Sequence, residues 1–137
     1  MATHRSEFEI STTEHDAVYD VTSRVARIVA SCGISDGIVC VYTPHATAAV
    51  TVNENDDPNI GVDLMRALRK IVPDHDGWLH DRIDDNAAAH IKSALIGPSV
   101  TIPVAGRKMC LGRWQNVFLC ELDGPRRERR VIVTVVN

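Results

Sequence analysis

Residues 115–136 read QNVFLCELDGPRRERRVIVTVV, and the reading of this stretch decides the fold class. Gln115 to Glu121 and Arg130 to Val136 are rich in β-branched and apolar residues, the composition of pleated strands. Asp123-Gly124 between them is a hairpin signal. Immediately upstream, Ser99 to Pro103 and Lys108 to Gly112 also read as strands. A run of strands with no helix between them favours α+β over a doubly wound α/β sheet. The expected architecture is a mainly antiparallel β-sheet sandwich with helices packed on one face.

Outward from this stretch, the remaining elements follow from periodicity. Glu7 to Thr12 reads as a first strand. Val18, Val21, Val25, Ile28 and Val29 recur at helical spacing, which predicts one helix from about Asp16 to Cys32 with Gly33 as its stop. Gly37 opens a strand that Pro44 interrupts, and Ala48 to Asn53 resumes it. A helix over Asn59 to Ile71 would bury Ile60, Leu64, Leu68 and Ile71, and Pro73 ends it. After a polar loop from Asp74 to Asp84, a helix from Asn86 to Ile96 is capped by Asp84 or Asp85 and closed by Gly97-Pro98.

The chain has 137 residues, which suits a single domain spanning 1–137. The hydrophobic fraction is 45%, enough for one core, and with 4% aromatics that core must be mostly Val, Ile, Leu and Ala. A net charge of -3 gives no electrostatic case for nucleic acid. No apolar run approaches the roughly 18 residues of a membrane span, and Met1 to Ile10 lacks the apolar region of a signal peptide. A cytoplasmic location is expected. Cys32, Cys40, Cys110 and Cys120 form no CxxC pair, and Cys40 and Cys120 are expected to be buried free thiols.

Five segments could carry chemistry. His45, in Thr43-Pro44-His45-Ala46-Thr47, follows a strand-breaking proline, and an imidazole there can bind a metal or move a proton near neutral pH. Asn53-Glu54-Asn55-Asp56-Asp57 is turn and cap chemistry, but a carboxylate such as Glu54 could also contribute to a Mg²⁺ site. His80 leads into a helix on which Asn86 and His90 share one face, and the start of that helix suits a phosphate. Gly112-Arg113-Trp114-Gln115 interrupts an apolar region. Gln115 there lines a polar pocket or faces water, and Trp114 belongs to a core or an interface. Arg126 to Arg130 reads as a solvated hairpin tip, with one arginine in reach of a phosphate. His4, His15 and His75 are expected to be exposed.

Taken in order, these segments resemble the YjbQ-like family, whose members are described as secondary thiamine-phosphate synthases. The resemblance rests on Gly37, His45-Ala46-Thr47-Ala48-Ala49, Asn53-Glu54, His80, Asn86 with His90, and Leu95-Ile96-Gly97. It continues through Leu111-Gly112, Trp114-Gln115 and Asp123-Gly124-Pro125-Arg126. It implies an α+β sandwich and a homotrimer with its site near a subunit interface. It also implies a cluster of His45, His80 and His90 as catalytic groups and ligands of a divalent metal, Zn or Mg. Glu54 would then be a metal ligand or proton acceptor, and Thr47, Asn86, Arg113 and Gln115 would line the substrate. Two positions depart from the family pattern: Ala46 stands for a usual Thr, and Arg113 stands for the Thr before Trp-Gln.

The activity this implies joins hydroxymethylpyrimidine diphosphate to thiazole phosphate and releases diphosphate. Two alternatives stay open. One is a metal-dependent hydrolase of a small phosphorylated or acyl substrate. The other is a non-enzymatic module that binds a small anion.

Overall fold

The computed structural model describes residues Met1–Asn137. Eight strands and three helices follow one another as β1 (Thr3–Thr12), β2 (Ala17–Asp20), α1 (Thr22–Ser31), β3 (Gly37–Tyr42), β4 (Ala48–Asn53), α2 (Asn59–Ile71), α3 (Ala87–Ile96), β5 (Ser99–Ala105), β6 (Lys108–Met109), β7 (Asn116–Glu121) and β8 (Arg126–Val136), with a 3-10 turn at Leu79–Arg82 before α3. Every paired strand is antiparallel. One sheet has five strands in the order β1-β8-β3-β5-β6, and the other has three in the order β2-β7-β4. The expected α+β class holds.

The two sheets face each other across the main core. Val39 and Val41 of β3 and Val131, Val133 and Val135 of β8 meet Val50 of β4 and Val117 and Leu119 of β7. Val25 and Val29 of α1 join this cluster, so α1 belongs to the inter-sheet core and not to an outer layer. Alternate residues of β4 and β7 point the other way. Ala49 and Cys120 meet Met65 and Leu68 of α2 and Ala89 of α3, so α2 and α3 cover the outer face of the three-stranded sheet. Burial on both faces explains why β7 reads as an unbroken apolar run. Each fully buried aliphatic side chain such as Leu119 contributes about 1.5–3 kcal/mol. No helix is long and apolar enough to cross a membrane.

Several expectations are corrected. The helix predicted from Asp16 to Cys32 is a strand and a shorter helix. Ala17–Asp20 has a ladder partner in β7, with Ala17 opposite Glu121 and Asp20 opposite Phe118. Asp20 then starts α1 by accepting hydrogen bonds from the Thr22 N–H at 2.9 Å and the Thr22 hydroxyl at 2.6 Å. In α2 the bounds agree, but Gly61, Met65 and Leu68 are the buried residues and Ile71 is exposed. The helix rests on β2 at Gly61, where a Cβ would collide with the Val18 side chain.

Asp123-Gly124 closes no hairpin, because β7 and β8 lie in different sheets. Gly124 is there for close approach, since a Cβ would collide with the Glu14 carbonyl oxygen. The strand expected over Lys108 to Gly112 is only two residues long. Of the thiols, Cys120 is buried as expected, Cys40 is half-buried, and all four cysteines are free.

Candidate functional site

Ala48 at the start of β4 pairs with Glu121 at the end of β7, and most of the candidate residues gather at this end of the three-stranded sheet. Pro44 cannot donate to a ladder, and the chain leaves β3 as a loop that crosses to the other sheet. Thr43 anchors the loop: its N–H donates to the Pro98 carbonyl at 2.9 Å and its hydroxyl to the Arg130 carbonyl at 2.8 Å. Next to it, Nε2 of His45 accepts the backbone N–H of Arg130 at 2.9 Å. Partial burial and the guanidinium charges of Arg129 and Arg130 hold the His45 pKa below its usual 6.5.

Behind this loop lies a buried ion pair. Arg129 is 4% exposed, and its Nη2 donates to Glu121 Oε2 at 2.5 Å and to the Thr47 hydroxyl at 3.0 Å. Thr12 donates its hydroxyl to Glu121 Oε1 at 2.6 Å. Burial pushes the Glu121 carboxyl up, but hydrogen bonds from Arg129, Thr12 and the Asp123 N–H outweigh it and leave the pKa below the usual carboxylate range. Arg129 is therefore no part of a solvated tip, which corrects that expectation. Thr47, expected to line the substrate, is buried with its hydroxyl bonded to Arg129.

The other histidines come together. The rings of His80 and His90 are 4.8 Å apart and nearly perpendicular, at 89°. His80 Nε2 lies 3.9 Å from Asp84 Oδ2. One turn before His90, Asn86 donates its Nδ2 to Asp123 Oδ2 at 2.9 Å, and Arg126 reaches the same oxygen at 2.9 Å. The Asn86 Oδ1 is buried without a partner. Asp81, and not Asp84 or Asp85, caps α3, accepting the Ala87 N–H at 2.9 Å. A carboxylate thus holds the first N–H of the helix that was expected to face a phosphate.

Glu54, Arg113 and Gln115 lie elsewhere. Asn53 at the far end of β4 pairs with Asn116 at the start of β7, five residue steps from Ala48, or about 17 Å at about 3.4 Å per step. Glu54 follows Asn53 and is half-buried. Arg113 and Trp114 line an open groove of about 490 Å³ with Asn55, Asp56 and Asn116. Trp114 is 52% exposed, which places it outside the core of the chain, and the Arg113 guanidinium sits 5.0 Å over its ring. Gln115 accepts the Gly112 N–H at 2.7 Å.

The expected metal centre is corrected. No group of three or more His, Cys, Asp or Glu side chains in the chain could hold a metal ion. At His45 the reason is local. The Arg130 amide occupies the Nε2 lone pair, and a metal on Nδ1 would force the ring proton onto Nε2, against that N–H. Sequence reasoning also missed Lys92, which is 3% exposed and paired with no carboxylate. Its signal was its place one turn after the buried Ala88.

Residues 6–137 match the family model for YjbQ, described as UPF0047 protein YjbQ-like. A UPF0047 protein of Archaeoglobus fulgidus is 43% identical over 93% of this chain and 97% of its own length. YugU of Bacillus subtilis, also named a UPF0047 protein, is 37% identical over 86% of this chain and 89% of its own. The crystal structure of a YbjQ-like protein of unknown function from Sulfolobus solfataricus P2 superposes with a TM-score of 0.95 at 34% identity, covering 98% of this chain and 96% of that one. A hypothetical protein of Aeropyrum pernix K1 gives 0.93 at 36% identity, covering 98% of each chain. These relatives carry no named activity, so the thiamine-phosphate synthase label taken from the resemblance is withdrawn as a description of this chain.

Proposed function

The chain belongs to the YjbQ-like UPF0047 family, and we propose that it is an enzyme acting on a small phosphorylated substrate at the end of the three-stranded sheet that carries His45, His80 and His90. The observation that supports this most is the His80–His90 pair at 4.8 Å, next to the Asn86–Asp123–Arg126 chain of hydrogen bonds. Each imidazole carries one nitrogen that can donate and one that can accept a proton, and two in contact can pass a proton to or from a bound substrate. At the His45 ring the charges of Arg129, Arg130 and Arg126 outweigh that of Glu121. Arg126 and Arg130 are themselves paired with Asp123 and Glu7, and a phosphate would compete with those carboxylates for them. Within one chain no three His, Cys, Asp or Glu side chains group as a metal centre.

Two copies complete the site in this reading. Glu54, Arg113, Trp114 and Gln115 stand one strand length from the histidines, so they would meet them only across a subunit boundary, as in a homotrimer. The unpartnered Asn86 Oδ1 and the exposed Trp114 support that arrangement. Four free thiols support a reducing, cytoplasmic compartment.

The reaction class is tested by product. Purified protein is incubated with hydroxymethylpyrimidine diphosphate, with and without thiazole phosphate. Formation of a joined product with release of diphosphate identifies a transferase. Phosphate release without the second substrate identifies a hydrolase. Saturable binding with no product on a panel of small phosphate esters would overturn the enzyme reading in favour of an anion-binding module.

A further inference from the structure

We propose that the Arg130 amide holds His45 as the neutral Nδ1–H tautomer, and that this N–H is a hydrogen-bond donor to a phosphoryl oxygen of the substrate. The donor half of this inference rests on the phosphorylated-substrate reading, and the tautomer half does not.

A backbone N–H can only donate. Its contact of 2.9 Å with Nε2 therefore requires the lone pair on that nitrogen. In a neutral imidazole the proton then sits on Nδ1. Protonating the ring would place a second N–H against the Arg130 N–H. Partial burial opposes protonation as well, and so do the charges facing the ring, where Arg129, Arg130 and Arg126 outweigh Glu121. Nδ1 has no partner within the chain and is not sealed from solvent, since Asn86 Oδ1 is the one buried side-chain polar atom left unpaired.

The loop geometry makes this a built arrangement. Thr43 fixes the loop through both its N–H and its hydroxyl, and β8 presents the Arg130 amide in register with it. Both ring nitrogens are thereby assigned. Nε2 is a structural acceptor and Nδ1 a donor to whatever oxygen comes to the loop. A histidine wired in this way polarises or orients an oxygen without exchanging protons. Proton transfer is left to His80 and His90, whose side chains make no such backbone bond.

The test uses two variants that divide the ring between them. His45→Gln can keep the acceptor for the Arg130 N–H but lacks the Nδ1 donor. His45→Asn can keep a donor near Nδ1 but lacks the Nε2 acceptor. Long-range proton–nitrogen spectra of nitrogen-15-labelled wild type, assigned by the resonances lost in His45→Asn, should show Nδ1 protonated and Nε2 bare from about pH 6.5 to 8. A proton on Nε2, or an imidazolium at pH 7, would overturn the tautomer.

Binding of inorganic diphosphate is then measured by calorimetry. His45→Gln should weaken it roughly tenfold or more, with thermal stability retained. His45→Asn should bind within roughly twofold of wild type and lose stability. Tight binding by wild type and equal binding by His45→Gln would overturn the donor role alone. No diphosphate binding by wild type would overturn the donor role together with the phosphorylated-substrate reading.

Discussion

Arg129 and Glu121 form an ion pair in the interior, Nη2 to Oε2 at 2.5 Å, with side chains 4% and 0% exposed. It ties β8 of one sheet to β7 of the other. Removing one partner leaves a buried charge uncompensated, which costs about 3–5 kcal/mol. Glu121→Ala and Arg129→Ala should each lose about that much in urea unfolding. The double variant Glu121→Leu with Arg129→Met should recover most of it. Single losses below about 1 kcal/mol would show that water reaches the pair.

Stability should fall in acid in two stages. His45 has a folded pKa below its usual 6.5, so the unfolded chain binds the proton first and stability is lost as pH falls through about 6.5. Glu121 has a folded pKa below its usual 4.5. Its contribution is complete above that value and is lost as pH falls toward the folded one. His75, raised by Asp85 at the surface, acts in the opposite sense. The difference between wild type and His45→Asn therefore isolates the first stage, and a flat difference from about pH 7 to 5 would contradict it.

The thiols should separate by reactivity. Cys110 is exposed, whereas Cys120 is buried with its pKa pushed up to about 12 by desolvation. Thiolate is the reactive form. In native protein at neutral pH, an alkylating reagent read by peptide mass spectrometry should modify Cys110 and spare Cys120 until the chain unfolds. Early modification of Cys120 would mean that the core between β7 and α2 opens readily.

If the two ends of β4 meet only between copies, inactive variants should rescue each other. His90→Ala and Arg113→Ala, each inactive alone, should regain part of the wild-type rate after being unfolded together and refolded as mixed oligomers. Sedimentation should give a trimer mass. A monomer at micromolar concentration that keeps full activity would contradict the shared site.

Much of this architecture was legible because local signals agreed with the tertiary outcome. Asp57-Pro58-Asn59 and Pro73 bracket α2, and its observed bounds are those expected. β4 was equally clear. Residues 16–32 misled because Val18, Val21 and Val25 satisfy a helical period, while the ladder that makes Ala17–Asp20 a strand is supplied by β7, about a hundred positions along the chain. Arg129 was hidden in a run of five charged residues whose buried carboxylate partner lies on the other sheet. Its signal was parity, since Arg129 is in phase with the inward-facing Val131, Val133 and Val135. His80 and His90 were legible as residues. Their contact was implied by the family resemblance and not by residue spacing, because it depends on how the 3-10 turn folds over the start of α3.

The most direct test of the account compares turnover of a small phosphorylated substrate by wild type, His80→Ala, His90→Ala and the double variant, with folding checked by circular dichroism. If the pair moves the proton, each single variant should lose about 10²–10⁴-fold in kcat. The double variant should be little worse than either, because groups that act as one unit are not additive. Wild-type turnover in both folded single variants would contradict the account.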